Sequence, residues 1–192
     1  MTTHRKLEAM YVDHCIPLMA GLSKEAQDLI TKWHDDGKHI HIERPDWDEY
    51  YLEIAFAVSK RSIDSQTKCG CVITNRKHQP LGFGYNSFVR DIDDNVLPNV
   101  RPDKYPFMIH SELNAIFNCT SKPENGIAYI TAPPCPHCLQ SLWQAGIREI
   151  VHAQNHTVMQ KETSVKTIEE ILISLMRDSG LKYRGVDYVQ KL

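Results

Sequence analysis

The chain has 192 residues, 42% of them hydrophobic and 24% charged, with a formal net charge of −2, which allows one sizeable core and not two full domains. A net charge near zero argues against a grip on a long stretch of DNA or RNA, which rewards a clear excess of Lys and Arg; a small anionic ligand needs only one or two local cations. The first residues mix Arg5, Lys6, Glu8 and Asp13 with apolar side chains, unlike a secretory signal, and no apolar run approaches the ~20 residues that span a bilayer, so a soluble cytoplasmic protein is expected.

Residues 1–44 read as a helical N-terminal extension. Ser23 caps a helix that runs to about Asp36 and stops at Gly37, and His39-Ile40-His41-Ile42 alternates as a short strand does. The main domain, residues 45–192, opens on Asp46, which with Glu49 resembles a capping box. Trp47, Tyr50, Tyr51, Ile54, Ala55 and Val58 then fall on one helix face. Residues 69–74 and 79–85 predict the two strands of a hairpin turning at 75–78. A polar loop, 87–105, carries Asp91, Asp93, Asp94, Pro98 and Pro102, and loops of that length in compact domains are usually functional or mobile. Beyond it the pattern predicts a helix over 110–119, a strand over 127–131, a helix over 136–145 and a strand over 148–152. A helix over 166–179, closed by Gly180, and a strand near 186–190 complete the chain. A hairpin followed by alternating helix and strand argues for a three-layer α/β/α sandwich on a mixed five-stranded sheet.

Two segments carry the chemistry: His110-Ser111-Glu112 and Pro134-Cys135-Pro136-His137-Cys138. Clustered cysteines in a reducing compartment suggest a metal before a disulfide. His110, Cys135 and Cys138 supply three donors for Zn2+, and a fourth position left to water makes a catalytic site. Pro136 suits the first position of a helix, which sets both thiolates at a helix N-terminus, where the dipole favours negative charge. Glu112 adds a carboxylate able to take a proton from the metal-bound water and return it to a leaving group. Residues i and i+2 do not share a helix face, so His110 and Glu112 meet one cleft only at the start of their helix. The competing reading, a structural zinc, needs a fourth protein ligand, for which His137, Cys119 and His152 are the nearby candidates.

Other residues admit both a functional and a plain reading. Cys69 and Cys71 face one side of a strand and belong either to a second zinc or to the core. His34, His39 and His41 make either a metal cluster or a solvated segment. Arg90, Arg101 and Lys104 are the loop cations within reach of a substrate phosphate. The pattern H-x-E…P-C-x-x-C is that of zinc deaminases.

From Trp47 to Gly185 the chain resembles the deoxycytidylate deaminase family of the cytidine deaminase superfamily. The residues that carry the resemblance are Gly84-Tyr85-Asn86, Asp94-Asn95-Val96-Leu97-Pro98, Lys104-Tyr105-Pro106 and His110-Ser111-Glu112-Leu113-Asn114-Ala115, with the zinc motifs. The resemblance implies a cytidine deaminase-like fold and hydrolysis of dCMP to dUMP and ammonia, with Glu112 as the catalytic residue. It implies a substrate site in which Asn86 holds the deoxyribose and the backbone of Ser111 faces the base, with Lys104 and Tyr105 close by. It also implies a homohexamer, activated by dCTP and inhibited by dTTP. Asp91, Asp93 and Asp94 belong either to a Mg2+–nucleotide site or to a solvated acidic loop, and from charge and hydropathy neither a nucleic-acid polymer nor a membrane is expected as partner.

The sequence departs from the family in three places. Ser87-Phe88-Val89-Arg90 replaces a Gly-rich turn that contributes to the effector site; without glycines the backbone cannot wrap a triphosphate, so effector binding is expected to be weak or to use Arg90, Asp91, Asp93 and Asp94. His156 is the nearest ring where the family packs an aromatic residue over the base. The extension before Asp46 has no counterpart in the family pattern. The competing functions are deamination of another cytosine nucleotide, including 5-substituted dCMP, or of a nucleoside or base, and a catalytically inactive zinc-stabilised binding protein, for which Glu112 would have no use.

Overall fold

The computed structural model describes residues 19–38, 44–154 and 163–188. His39, His41, His156 and the strand expected at 39–42 lie outside the described residues. Contacts divide the chain into two compact units, Met1–Arg44 and Pro45–Leu192. The first contains helix α1, Lys24–Asp35, begun by Ser23, whose hydroxyl accepts from Ala26 N at 3.3 Å. Gly37 adopts φ +67° just after the helix end, a conformation in which a Cβ would be strained.

In the second unit, helix α2 spans Trp47–Ser59, capped by the Asp46 carboxylate on Glu49 N at 2.8 Å. The hairpin strands are β1, Gly70–Thr74, and β2, Pro80–Tyr85. Its turn is held by Asn75, whose Oδ1 accepts from the amides of Lys77 and Gln79. Helix α3 (Ser111–Phe117), β3 (Ile127–Ile130), α4 (Pro136–Ala145), β4 (Glu149–Ala153), α5 (Thr163–Asp178) and β5 (Lys182–Val186) follow. The strands form one sheet in the order β2-β1-β3-β4-β5. Strand β1 is antiparallel to both neighbours, whereas β3, β4 and β5 run parallel.

Side chains alternate across a strand, and both faces of this sheet are covered. On one face Tyr51, Leu52, Ala55 and Phe56 of α2 pack on Val72, Ile127, Tyr129 and Val151. On the other, Ala115, Leu139, Leu142 and Met176 of α3, α4 and α5 pack on Ile73, Ala128, Ile130 and Ile150. The three-layer α/β/α sandwich with a mixed five-stranded sheet is therefore the observed architecture. No helix among the described residues is long and apolar enough to cross a membrane.

The last strand begins four residues earlier than the pattern predicts. Gly180 ends α5 at φ +101° and buried Leu181 leads straight into β5. Strand β5 lies at the sheet edge and is only partly buried, so its apolar alternation is weak. Tyr188, inside the range expected as strand, instead stacks on Phe56 at 5.2 Å.

Strand direction gathers the functional segments. Gly70, the first residue of β1, pairs with Tyr85 at the end of β2, and Cys71 pairs with Ile130 at the end of β3. The chain before β1 and the chains after β2 and β3 therefore emerge at one end of the sheet. Helix α3 lies directly on β2 there. A Cβ on Gly84 would stand 2.1 Å from the Ser111 carbonyl oxygen and 2.2 Å from Ala115 N, so only glycine admits the helix.

Candidate metal centre and substrate cleft

His110 and Cys135 are the N-cap residues of α3 and α4, both with extended backbone and neither with a side-chain capping bond. Their side chains are thereby turned toward one another instead of toward their own helix amides. Pro136 occupies the first turn of α4, and Cys138 follows within that turn. The donor atoms of His110, Cys135 and Cys138 all lie within 4.8 Å of one another. Nδ1 of His110 is 3.5 Å from Cys135 Sγ and 3.4 Å from Cys138 Sγ. A tetrahedral zinc with Zn–N of ~2.0 Å and Zn–S of ~2.3 Å sets nitrogen and sulfur about 3.5 Å apart, so the donor set is spaced for a single zinc ion.

Protonation of the set leads to the same ion. The Cys135 thiol is pulled down to about 3, first by the hydrogen bond from Cys138 and then, against the cost of burial, by His110. The Cys138 thiol is pushed up because it gives that bond and is buried. His110 is raised by its bond to Cys135. The metal-free pair thus shares one proton, and a divalent ion between the two sulfurs would displace it and hold both as thiolates. Among the described residues no fourth ligand joins: Cys119, His137 and His152 stand outside the group, and no second cluster includes Cys69, Cys71 or His34.

Glu112 lies in the first turn of α3 and is buried. Its Oε2 accepts from Ser111 Oγ at 2.9 Å, and its carboxylate acts on Cys138 by hydrogen bond and charge. The demand that residues 110 and 112 share a cleft is met because one is the cap and the other stands in the first turn. Ser111 is fully buried and its hydroxyl orients the carboxylate. Cys69, just before β1, also feels Glu112, and burial drives its thiol up to about 12.

Asn86 sits where β2 leaves the sheet. Its Oδ1 accepts from Cys69 N at 2.7 Å, and its Nδ2 donates to Thr67 O at 2.8 Å and to Asp64 Oδ2 at 3.1 Å. Asp64 is the hub of this region and was not singled out from sequence. It accepts from the amides of Gln66 and Thr67, and both its oxygens lie 2.6 Å from Lys104 Nζ. The only local sign is an Asx-type turn over residues 64–67; the cation that makes Asp64 a buried ion is forty positions away.

Lys104 therefore differs from expectation. Its ammonium is 3% exposed and committed to Asp64, because a buried carboxylate holds a cation far more strongly than solvent does. Tyr105 stands half-exposed on the same loop. Arg90 donates to Asn118 Oδ1 at the C-terminal end of α3, the end opposite His110. Asp93 organises its own turn through both nitrogens of Asn95, while Asp91 and Asp94 are exposed and Asp91 takes φ +64°. Phe88, in place of the Gly-rich turn, is buried. The long loop is closed at its base by paired bonds between Ser87 and Ile109. It is fastened to the 64–67 turn by Ser65 on Asn99 O, Arg101 N on Gln66 Oε1, and the Asp64–Lys104 pair.

A sandwich of this topology, with a His–Cys–Cys donor set at the sheet end and a carboxylate beside it, marks the class of α/β domains built to hold a metal ion. Residues 45–154 match the family described as the cytidine and deoxycytidylate deaminase zinc-binding region, and the chain belongs to that family. The chain is 36% identical over 113 residues to the deoxycytidylate deaminase of Homo sapiens, an alignment covering 55% of this chain and 64% of the human protein. It is 33% identical over 146 residues to that of Mus musculus, covering 72% of this chain and 79% of the mouse protein. The crystal structure of dCMP deaminase from the cyanophage S-TIM5 in complex with dCMP and dUMP has the same fold, with a TM-score of 0.59 at 20% identity, covering 76% of this chain and 100% of the phage chain.

Proposed function

We propose that the protein is a zinc-dependent hydrolase that deaminates dCMP to dUMP and ammonia. The observation that carries this reading is the buried Glu112 carboxylate beside a three-donor site with no fourth protein ligand among the described residues. A purely structural zinc has no use for that carboxylate. The relatives named deoxycytidylate deaminase support the choice of substrate.

Zinc held by His110, Cys135 and Cys138 would lower the pKa of a bound water enough to supply a nucleophile at neutral pH. Glu112 takes the proton that the attacking water gives up and passes it to the ring nitrogen next to the carbon under attack. It then delivers a proton to the departing amino group, so that water and dCMP leave as dUMP and ammonia. Ser111 holds the carboxylate in place through the Oγ bond. Asn86 receives the sugar, and Tyr105 belongs to the surroundings of the nucleotide; the role that sequence gives His156 falls outside the described residues. A cation of the long loop reads the 5′-phosphate. An oligomer in the cytoplasm, with dCTP and dTTP as effectors and Mg2+ as their counter-ion, is part of the same reading; buried Phe88 favours weak effector binding.

The test is ammonia release from dCMP, dCTP, deoxycytidine, cytidine and cytosine by the zinc-loaded protein. Turnover of dCMP well above the others is expected. A protein that binds zinc and releases ammonia from none of them would be a binding protein instead.

A further inference from the structure

We propose that Arg101 reads the 5′-phosphate and sets the preference for nucleotide over nucleoside; this rests on the deaminase reading above. Three loop cations fit such a role by type, and the structure separates them. Lys104 is spent: its ammonium is sealed against both oxygens of Asp64, so the pair carries no net charge toward the cleft. Arg90 is turned to Asn118, at the end of α3 remote from His110. Arg101 remains, and it stands next to the cleft. Its backbone amide donates to Gln66 Oε1 at 2.8 Å and its Nη2 to Thr67 Oγ1. The carbonyl of that same Thr67 accepts from Asn86 Nδ2, and Asn86 in turn holds the amide of Cys69, which lies within the field of Glu112.

The guanidinium is also incomplete. Arg101 Nε is buried and has no hydrogen-bond partner among the described residues. Covered by protein, Nε is out of a ligand's reach; Nη1, which is not sealed and makes no hydrogen bond among the described residues, is the N–H group left for one. The acceptor that suits a planar fork of guanidinium N–H groups is an oxyanion taken by two parallel bonds, and phosphate supplies it. With Asp64 neutralised by Lys104, Arg101 adds a positive charge near Asn86 that no ion pair among the described residues cancels, as capture of a dianion requires.

The experiment compares kcat/KM for dCMP with that for deoxycytidine in the zinc-loaded wild type, Arg101→Gln and Arg101→Lys, with zinc content and melting temperature recorded for each. Loss of charge-assisted bonds to a phosphate weakens binding on the order of 10- to 100-fold, so the dCMP-to-deoxycytidine ratio should fall at least tenfold in Arg101→Gln, mainly through KM. Arg101→Lys keeps the charge without the fork and should fall between. An equal loss on both substrates would mean that Arg101 only braces the 64–67 turn, and would overturn the assignment. So would an unchanged ratio in Arg101→Gln, or a ratio lost in Arg90→Gln or Lys68→Gln instead. Should Arg101→Gln fail to fold, a wild-type ratio in Arg101→Lys overturns the assignment and a lowered one, at unchanged turnover of deoxycytidine, upholds it, since the fork is what distinguishes the two cations. A wild type that handles deoxycytidine as well as dCMP would refute the monophosphate reading and this assignment together; a wild-type preference that survives in Arg101→Gln refutes this assignment alone.

Discussion

Lys104→Met tests the buried pair that fastens the long loop. Both side chains of the pair are 3% exposed, with Nζ 2.6 Å from Asp64 Oδ1, so the substitution leaves a carboxylate in the interior without its cation. Breaking a buried pair from one side costs ~3–5 kcal/mol. Asp64 would keep three N–H donors, from Gln66, Thr67 and Asn86, which places the expected loss at the lower end, about 3 kcal/mol. For a domain of this size that lowers Tm by roughly 6–12 °C. The double variant Asp64→Asn with Lys104→Met removes both charges and should recover part of the loss. A pH dependence accompanies it. Burial raises the Asp64 carboxyl, but the Lys104 hydrogen bond, the amides of Gln66 and Thr67 and the Lys104 charge more than offset this, so the group titrates below its ordinary value. Its stabilisation is thus fully present above the unfolded pKa of ~3.9 and disappears as pH falls through the lower folded value. Without Lys104 burial remains and much of the compensation is gone, so the acid loss should begin at higher pH. Urea midpoints of both proteins between about pH 3 and pH 7 measure this. A loss under about 1 kcal/mol, or acid limbs that coincide, would show that Asp64 does not depend on Lys104.

Three further outcomes are expected. Glu112→Gln should keep fold and zinc while turnover of dCMP drops on the order of 10²-fold or more; near-wild-type turnover in a zinc-replete variant would remove Glu112 from the reaction. A strong chelator should abolish turnover and added Zn2+ restore it, while Cys138→Ala, which takes a thiolate from a three-donor set, should purify with little zinc; full zinc in that variant would contradict the donor assignment. Gly84→Ala, whose new Cβ has no room against the α3 backbone, should cost at least ~1–3 kcal/mol and lower zinc occupancy by moving His110, and an unaltered melt with full zinc would refute the close packing of α3 on β2.

The convergence of His110, Cys135 and Cys138 beside Glu112 was legible in part, because each motif's signal is local. Each motif opens a helix, so spacing places its atoms at a helix start, and the fold then brings the caps His110 and Cys135 together. The sheet was legible for a similar reason: β1, β3 and β4 are apolar runs buried on both faces. Edge strand β5 was displaced because its exposed positions give little alternation. The substrate side was hardest to read. Lys104 looks like a surface cation in sequence, and only the fold brings it to Asp64, forty residues earlier. Arg90, Arg101 and Lys104 are equivalent by composition and differ only in what each already holds.

The same network decides what Asn86 can offer a ligand. Amide nitrogen and oxygen are alike in shape, so their assignment follows from the partners. Turned over, Nδ2 would face the Cys69 N–H, two donors together, and Oδ1 would face the Thr67 carbonyl and the Asp64 carboxylate, acceptors against acceptors. Only one orientation satisfies all three neighbours. In it both protons of Nδ2 are spent and Oδ1 has one lone pair left. Asn86 can therefore accept one more hydrogen bond and donate none, so under the function proposed above it would meet a hydroxyl and not a phosphate oxygen. A sugar hydroxyl meets that requirement, and the phosphate has to find its donors elsewhere. Two of the three partners, the Cys69 amide and the Thr67 carbonyl, are backbone groups that fix this orientation by themselves, and the Asp64 carboxylate, held ionised by Lys104 and the two turn amides, adds a third. Lys104, a cation that sequence offers to the substrate, is thus one step removed from Asn86: it holds Asp64, and Asp64 accepts from Asn86.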